Sequence, residues 1–145
     1  IKTPKFITDA SRLYGSQSII GSIEAKRKGD SWEAYIENGR QETGVDAIEW
    51  AQRLEDLGAG ELLITSVDHE GTRKGFDIKL LKKISESVSV PVVLSGGAGN
   101  INDIISTCNQ SEVSGIALAS ILHYQNFHIR DIKDKMLSNN FNIRR

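Results

Sequence analysis

The chain has 145 residues, with 18 basic and 19 acidic side chains, a formal charge of -1, 39% hydrophobic residues, 13 Gly and 2 Pro. That composition predicts one soluble domain over residues 1–145 built on a single core. The charges are balanced and form no long Lys/Arg run, so nothing in the sequence favours nucleic acid or an anionic membrane surface as a partner. One cysteine cannot form an internal disulfide, no stretch approaches the roughly 20 apolar residues of a membrane helix, and no secretory leader is visible, so a reducing cytoplasm is the expected compartment. Ile1 rather than Met opens the sequence, which leaves room for residues ahead of it.

The periodicity predicts alternating helices and short apolar strands. Pro4 to Tyr14 places Phe6, Ile7, Ala10 and Leu13 at helical spacing before Gly15, which stops the helix. A β-branched strand follows at Ser18 to Ile23 and ends on Glu24-Ala25-Lys26-Arg27. Trp32 to Ile36 alternates in character, and Asn38-Gly39 is a two-residue turn signal, so this segment reads as a small excursion hairpin. Asp46 is placed to cap a helix whose Ile48, Ala51, Leu54 and Leu57 share one face before Gly58. The cycle repeats with a strand at Glu61 to Thr65, a polar glycine-bearing loop from Ser66 to Gly75 and a helix near Asp77 to Val88. A third strand at Val90 to Leu94 leads through Ser95-Gly96-Gly97-Ala98-Gly99 to a helix near Ile101 to Cys108. A fourth strand at Gly115 to Ala119 and a helix over about Ile129 to Leu137 close the chain.

Near-continuous apolar strands joined by helices predict an α/β fold with a parallel sheet covered on both faces. Four such strands fit an open doubly wound sheet or half of an eight-stranded (β/α) barrel, which typically needs about 250 residues. In either case functional groups gather at the carboxyl ends of the strands.

Ser95 to Asn100 lies between a strand and a helix. Glycines there let the backbone approach an anion, and the helix start adds a favourable dipole. The other reading is a tight strand-to-helix turn. Leu118-Ala119-Ser120 at the next strand end favours a phosphate cradle, because barrel phosphate sites combine the loops after consecutive strands. Asp68-His69-Glu70-Gly71-Thr72 carries two carboxylates and an imidazole. They are suited to polarising a substrate or moving a proton, although solvated loops of this composition are common. Glu24 at the end of an apolar strand is either a desolvated acid-base group or half of an ion pair with Lys26 or Arg27. Glu61, at the amino end of its strand, reads as a solvated residue. Cys108 reads as a small core thiol, while His123 and His128 lack metal-ligand spacing. Trp32, Tyr35 and Trp50 read as packing residues.

The linked motifs are similar to those of a known family. Gly58-Ala59-Gly60-Glu61-Leu62-Leu63-Ile64-Thr65-Ser66-Val67-Asp68-His69-Glu70-Gly71-Thr72, then Gly75-Phe76-Asp77, resemble the carboxyl half of the cyclase subunit of imidazole glycerol phosphate synthase. Tyr14-Gly15-Ser16-Gln17, Ile23 to Arg27, Thr43-Gly44, Ser95 to Gly99 and Leu118 to His123 continue the resemblance in order. It implies half of a (β/α)8 barrel, with four parallel strands alternating with helices and self-association as one way of completing it. It further implies a lyase of histidine biosynthesis that takes ammonia from a glutaminase subunit and forms imidazole glycerol phosphate and AICAR from a phosphoribulosyl substrate. No cofactor and no metal are implied. By matching positions, Gly71, Gly96, Gly97, Ala119 and Ser120 would hold a substrate phosphate and Thr65 would touch substrate. Glu24 and Glu70 would carry the acid-base chemistry, and Glu61 would belong to the ammonia entrance. The partner half, with its own catalytic carboxylate and phosphate site, lies outside this sequence.

Two positions depart from the family pattern, which commonly has Asp where Glu24 and Glu70 stand. Each keeps the charge and moves the carboxyl by a methylene, a displacement that costs on the order of a hundredfold in rate where geometry is tight. These departures and the loose Ile105 to Ser114 segment leave open a relative that delivers ammonia to a nucleotide sugar in surface-polysaccharide synthesis. His123 and the Lys- and Arg-rich tail resemble the histidine-pathway cyclase instead. A non-catalytic half-barrel that pairs with itself to hide its sheet edges is the reading from a different class.

Overall fold

A computed structural model describes residues 1–124 and 127–144, so Arg145 of the basic tail lies outside the described residues. Helix α1 (Lys5–Tyr14) and a single tight turn at Ser16–Ser18 precede β1 (Ile20–Lys28), β2 (Ser31–Ile36) and β3 (Gln41–Asp46). Then come α2 (Ala47–Asp56), β4 (Glu61–Ser66), α3 (Ile78–Ser85), β5 (Val92–Ser95), α4 (Ile101–Gln110), β6 (Gly115–Ala117), α5 (Ser120–Tyr124) and α6 (Ile129–Ser138). The strands form one sheet in the order β3-β2-β1-β4-β5-β6. β1, β4, β5 and β6 run parallel, while β2 and β3 are antiparallel additions. The result is a partial, barrel-like α/β fold.

The sheet has six strands rather than four. β1 does not stop at Ile23 but continues to Lys28, and its Glu24–Lys28 segment pairs with Tyr35–Ser31 of β2. The excursion hairpin therefore joins the sheet, and Glu24 sits in mid-strand. Three contacts hold the hairpin down. Trp32, buried, donates its indole N–H to Asp77 Oδ2 at 2.8 Å, while the other Asp77 oxygen caps α3 by accepting from the Leu80 amide at 3.0 Å. The Arg27 guanidinium lies over the Trp32 ring, 4.3 Å from its centre. Glu33, only 3% exposed, accepts from the Lys28 ammonium and from the amides of Thr43 and Gly44. At the tip the loop takes four residues, Glu37 to Arg40, rather than the two of the Asn38-Gly39 signal, and Glu37, Asn38 and Gly39 take left-handed φ values of 56°, 57° and 72°.

Layering differs from the both-faces expectation. Along β4, Leu62, Ile64 and Ser66 are buried while Glu61, Leu63 and Thr65 are not, and β5 repeats the pattern with Val92 and Leu94 inside. Register aligns Ile23, Ile64 and Leu94 into one buried row. The helices supply the other side of this core, with Trp50, Ala51 and Leu54 from α2, Leu80, Leu81 and Ile84 from α3, and Ile104 from α4. A Cβ on Gly21 would sit 2.9 Å from the terminal methyls of Leu54 on α2 and Leu62 on β4, so glycine leaves these side chains room to pack over β1. On β1, β4 and β5 the opposite face, carrying Ser22, Glu24, Leu63, Thr65, Val93 and Ser95, has no buried residue, and on β2 Glu33 is buried there by its own hydrogen bonds. Apolar content alone does not separate the faces, because Leu63 and Val93 are apolar on the uncovered one. A barrel interior, unlike a doubly wound sheet, is filled by strand side chains rather than by helices.

Leu80 and Ile84 are fully buried, so Leu80→Ala should destabilise the fold by about 2–5 kcal/mol in urea titrations. The Lys28 ammonium and the Gly44 amide hold the Glu33 carboxyl below its usual range. Its stabilising effect is complete above the ordinary carboxylate range and is lost as pH falls through the lowered folded value. Glu33→Gln should lower the urea midpoint at neutral pH, with the gap to wild type narrowing in acid.

Candidate active site

The carboxyl ends of β4, β5 and β6 converge on a small pocket of about 40 Å³. Its walls bring together Glu70 and Gly71 from the β4–α3 loop, Gly96 and Gly97 after β5, and Ala119 and Ser120 at the start of α5. The two loops are locked to each other by backbone. Gly75 N–H donates to Gly97 O at 2.8 Å, and the His69 ring nitrogen Nδ1 lies 2.7 Å from Gly75 O. A Cβ on Gly97 would sit 2.1 Å from Gly75 O, and one on Gly99 would sit 2.1 Å from Arg73 O. Gly97 also has φ 110°, a left-handed conformation that glycine adopts without penalty.

The helix start after the glycine run is closed to a ligand. Asn100 Oδ1 accepts from Asn102 and Asp103 amides, and Asp103 Oδ2 accepts from those of Gly99 and Asn100. This capping box satisfies α4's leading N–H groups internally, so the helix-dipole part of the sequence expectation does not hold at α4. The amides of Gly71, Gly96, Gly97, Ala98, Ala119 and Ser120 donate to no protein acceptor among the described residues.

The remaining carboxylates occupy distinct places. Glu24 is half-buried on the uncovered face, in register with Thr65, which is in turn in register with Ser95. Glu24, Thr65 and Ser95 thus form a polar row, with roughly 10 Å across its two interstrand steps. Glu24 Oε2 accepts from the Gly39 amide at 2.9 Å, and a Cβ on Gly39 would meet Val67 at 2.9 Å. The hairpin tip therefore folds over the top of β4. No ion pair joins Glu24 to Lys26 or Arg27; Lys26 instead lies 5.3 Å from the Tyr35 ring centre. Glu70 is exposed at the pocket mouth, and Glu61 is half-buried at the far end of β4 on the same face as Thr65. Asp68, which the sequence reading grouped with Glu70, accepts from the Arg27 amide at 2.6 Å and ties β1 to the β4–α3 loop.

One pocket residue carries little signal in the sequence. Arg73 lines the cavity, has φ 57°, and holds its guanidinium 5.9 Å from the Tyr124 ring centre. Its only local signal was a basic residue two positions after Gly71 and two before Gly75. Cys108 is half-buried, and burial raises its thiol pKa, in keeping with a packing thiol. Trp32 and Trp50 are core residues. Among the described residues no helix is long and apolar enough to cross a membrane.

A family model described as "Histidine biosynthesis protein" matches residues 1–128. The chain belongs to that family. It is 40% identical over 147 aligned positions to the imidazole glycerol phosphate synthase subunit HisF of Prochlorococcus marinus strain MIT 9515. It is 42% identical over the same length to the protein of that name from strain MIT 9312. Each alignment covers 99% of this chain and 57% of the relative, so the chain spans little more than half the length of these histidine-biosynthesis relatives. The matched stretch contains every strand of the sheet and the whole pocket, and only α6 and the tail lie beyond it.

The glycines of the pocket are not equivalent. Gly71 has φ 72° with open space around it, so Gly71→Ala should cost roughly 1–2 kcal/mol of left-handed strain. Gly97→Ala adds a collision with Gly75 O and should cost clearly more. Paired urea denaturation curves of the two variants check the ranking.

Proposed function

We propose that this chain is a single half-barrel domain, the carboxyl half of a HisF-type cyclase. In this reading it takes part in histidine biosynthesis in the cytoplasm and, in a completed barrel, uses ammonia from a glutaminase partner to close the imidazole ring of a phosphoribulosyl substrate. The observation that carries the reading is the set of uncommitted amides at Gly71, Gly96, Gly97, Ala119 and Ser120 around one pocket, in a chain of this family. Backbone N–H groups fixed by glycine turns suit phosphate because they bring partial positive charge close without a side chain to move aside.

The chemistry follows from the polar row. With a phosphate in the pocket, the reacting part of the substrate extends across Ser95 and Thr65 towards Glu24, roughly 10 Å away. Glu24 acts as general acid-base, its carboxylate oriented by the Gly39 amide, and Glu70 stands at the pocket mouth as a supporting carboxylate. Thr65 offers its hydroxyl between them. Glu61 lies four residues earlier on the same face, about 13 Å down the strand, where ammonia enters from the glutaminase side.

Completion of the barrel is favoured by what the sheet leaves open. Among the described residues, Ile20–Ile23 of β1 pair only with β4, because β2 engages β1 from Glu24 onwards, and β6 pairs only with β5. On β1 Ile20 is 56% exposed, and α1 presents Phe6 and Leu13 at 68% and 72% exposure with no buried residue of its own. Unpaired strand edges together with exposed apolar side chains favour a partner. In this proposal a second half-barrel fills that place, supplied by the remainder of a longer protein or by another copy of this chain.

Isothermal titration with inorganic phosphate and glycerol phosphate tests the pocket. Ser120 is the first residue of α5, where proline is tolerated, so Ser120→Pro should remove both its N–H and its hydroxyl donor and weaken binding while the fold persists. Absence of binding, or binding indifferent to Ser120→Pro, overturns the reading. In a reconstituted barrel supplied with ammonia, Glu24→Gln should lower turnover about 10²–10⁴-fold, and Glu24→Asp, which keeps the charge but moves it by a methylene, should lower it less. Turnover with a nucleotide sugar in place of the phosphoribulosyl substrate would decide for the amidation reading.

A further inference from the structure

We propose that Arg73 is the ionic clasp of the phosphate pocket and that Tyr124 positions it; the inference rests on the phosphate reading above. The residues lining the pocket include two charged ones, Glu70 and Arg73. Backbone amides carry partial charges only, and a phosphate entering beside Glu70 meets a like charge. Without Arg73 the one formal charge around the ligand would be negative. With it the lining side chains are neutral in sum, and a guanidinium fork becomes available for two phosphoryl oxygens.

The backbone explains how an arginine at a loop tip comes to face the pocket. Arg73 adopts φ 57°, a left-handed conformation that is uncommon for a residue with a Cβ. Its carbonyl is pinned against Gly99, where any side chain would come within 2.1 Å of it. With the main chain held in this way, the side chain crosses to α5 and its guanidinium packs 5.9 Å from the centre of the Tyr124 ring, within the range of a cation–π contact. Tyr124 belongs to the same short helix whose first residue, Ser120, lines the pocket. Arg73 therefore joins the β4–α3 loop to α5 beside the pocket.

Isothermal titration with inorganic phosphate at several salt concentrations tests this. Arg73→Asn removes the charge and keeps a residue that accepts the left-handed backbone. It should weaken binding about tenfold or more and flatten the salt dependence. Arg73→Lys should recover part of the affinity, and Glu70→Gln should tighten binding. Tyr124→Leu should weaken it a few-fold while Tyr124→Phe does not, an effect that loss of fold would not reproduce selectively. If wild type binds phosphate but Arg73→Asn binds equally well with the same salt slope, the clasp is overturned and the amide cradle stands. If wild type binds no phosphate, the cradle itself fails, and the clasp with it.

Discussion

The close contact between the β4–α3 loop and the glycine run after β5 is the constraint on which the site depends. Gly97 sits where a Cβ would strike Gly75 O, and Gly99 where one would strike Arg73 O. At those distances two loops cannot slide past one another, and the Gly75–Gly97 hydrogen bond sets their offset. Everything around the pocket inherits that geometry: the uncommitted amides, the exposed Glu70 beside it and the left-handed turn at Arg73. Glycine here serves two purposes, since it allows positive φ and it allows main chain to touch main chain.

A second constraint comes from the strands. Alternation puts the buried row of Ile23, Ile64 and Leu94 under the helices and leaves Glu24, Thr65 and Ser95 on the other face. A carboxylate, a hydroxyl and a glycine-bounded pocket thus fall in a line across three strand tops without any loop having to fold back. The hairpin contributes twice over. It extends β1 past the point where an ordinary barrel strand would end, and its tip amide meets Glu24. Its attachment through Trp32 to the cap of α3 makes the orientation of that tip a property of the core rather than of a free loop.

Much of this was legible residue by residue. The helix at Ala47 begins at the Asp46 cap read from the sequence, with its carboxylate accepting from Ile48 and Glu49 amides. Asn38 and Gly39 mark the hairpin turn, although the loop takes four residues rather than two, and the strands at Glu61 and Val92 lie within or beside the segments read from their apolar runs. The glycine loop and Leu118-Ala119-Ser120 do meet in one cavity. Less legible was the fate of α4's amino end. Asn100 and Asp103 formed a capping box that turned an apparent anion site into a self-satisfied helix start.

The sequence by itself determined the local elements, because caps, turns and amphipathic periods are decided by residues within a few positions of one another. It also determined family membership, since the motifs that carry the resemblance are contiguous. Only the tertiary structure decided that helices cover one face of the sheet, that β1 runs on to pair with the hairpin, that Glu24 meets the Gly39 amide, and that Arg73 reaches across to Tyr124. Each of these joins residues far apart in the chain. Their geometry depends on which backbone groups remain unpaired once the strands are in register, a quantity that no short window of sequence contains.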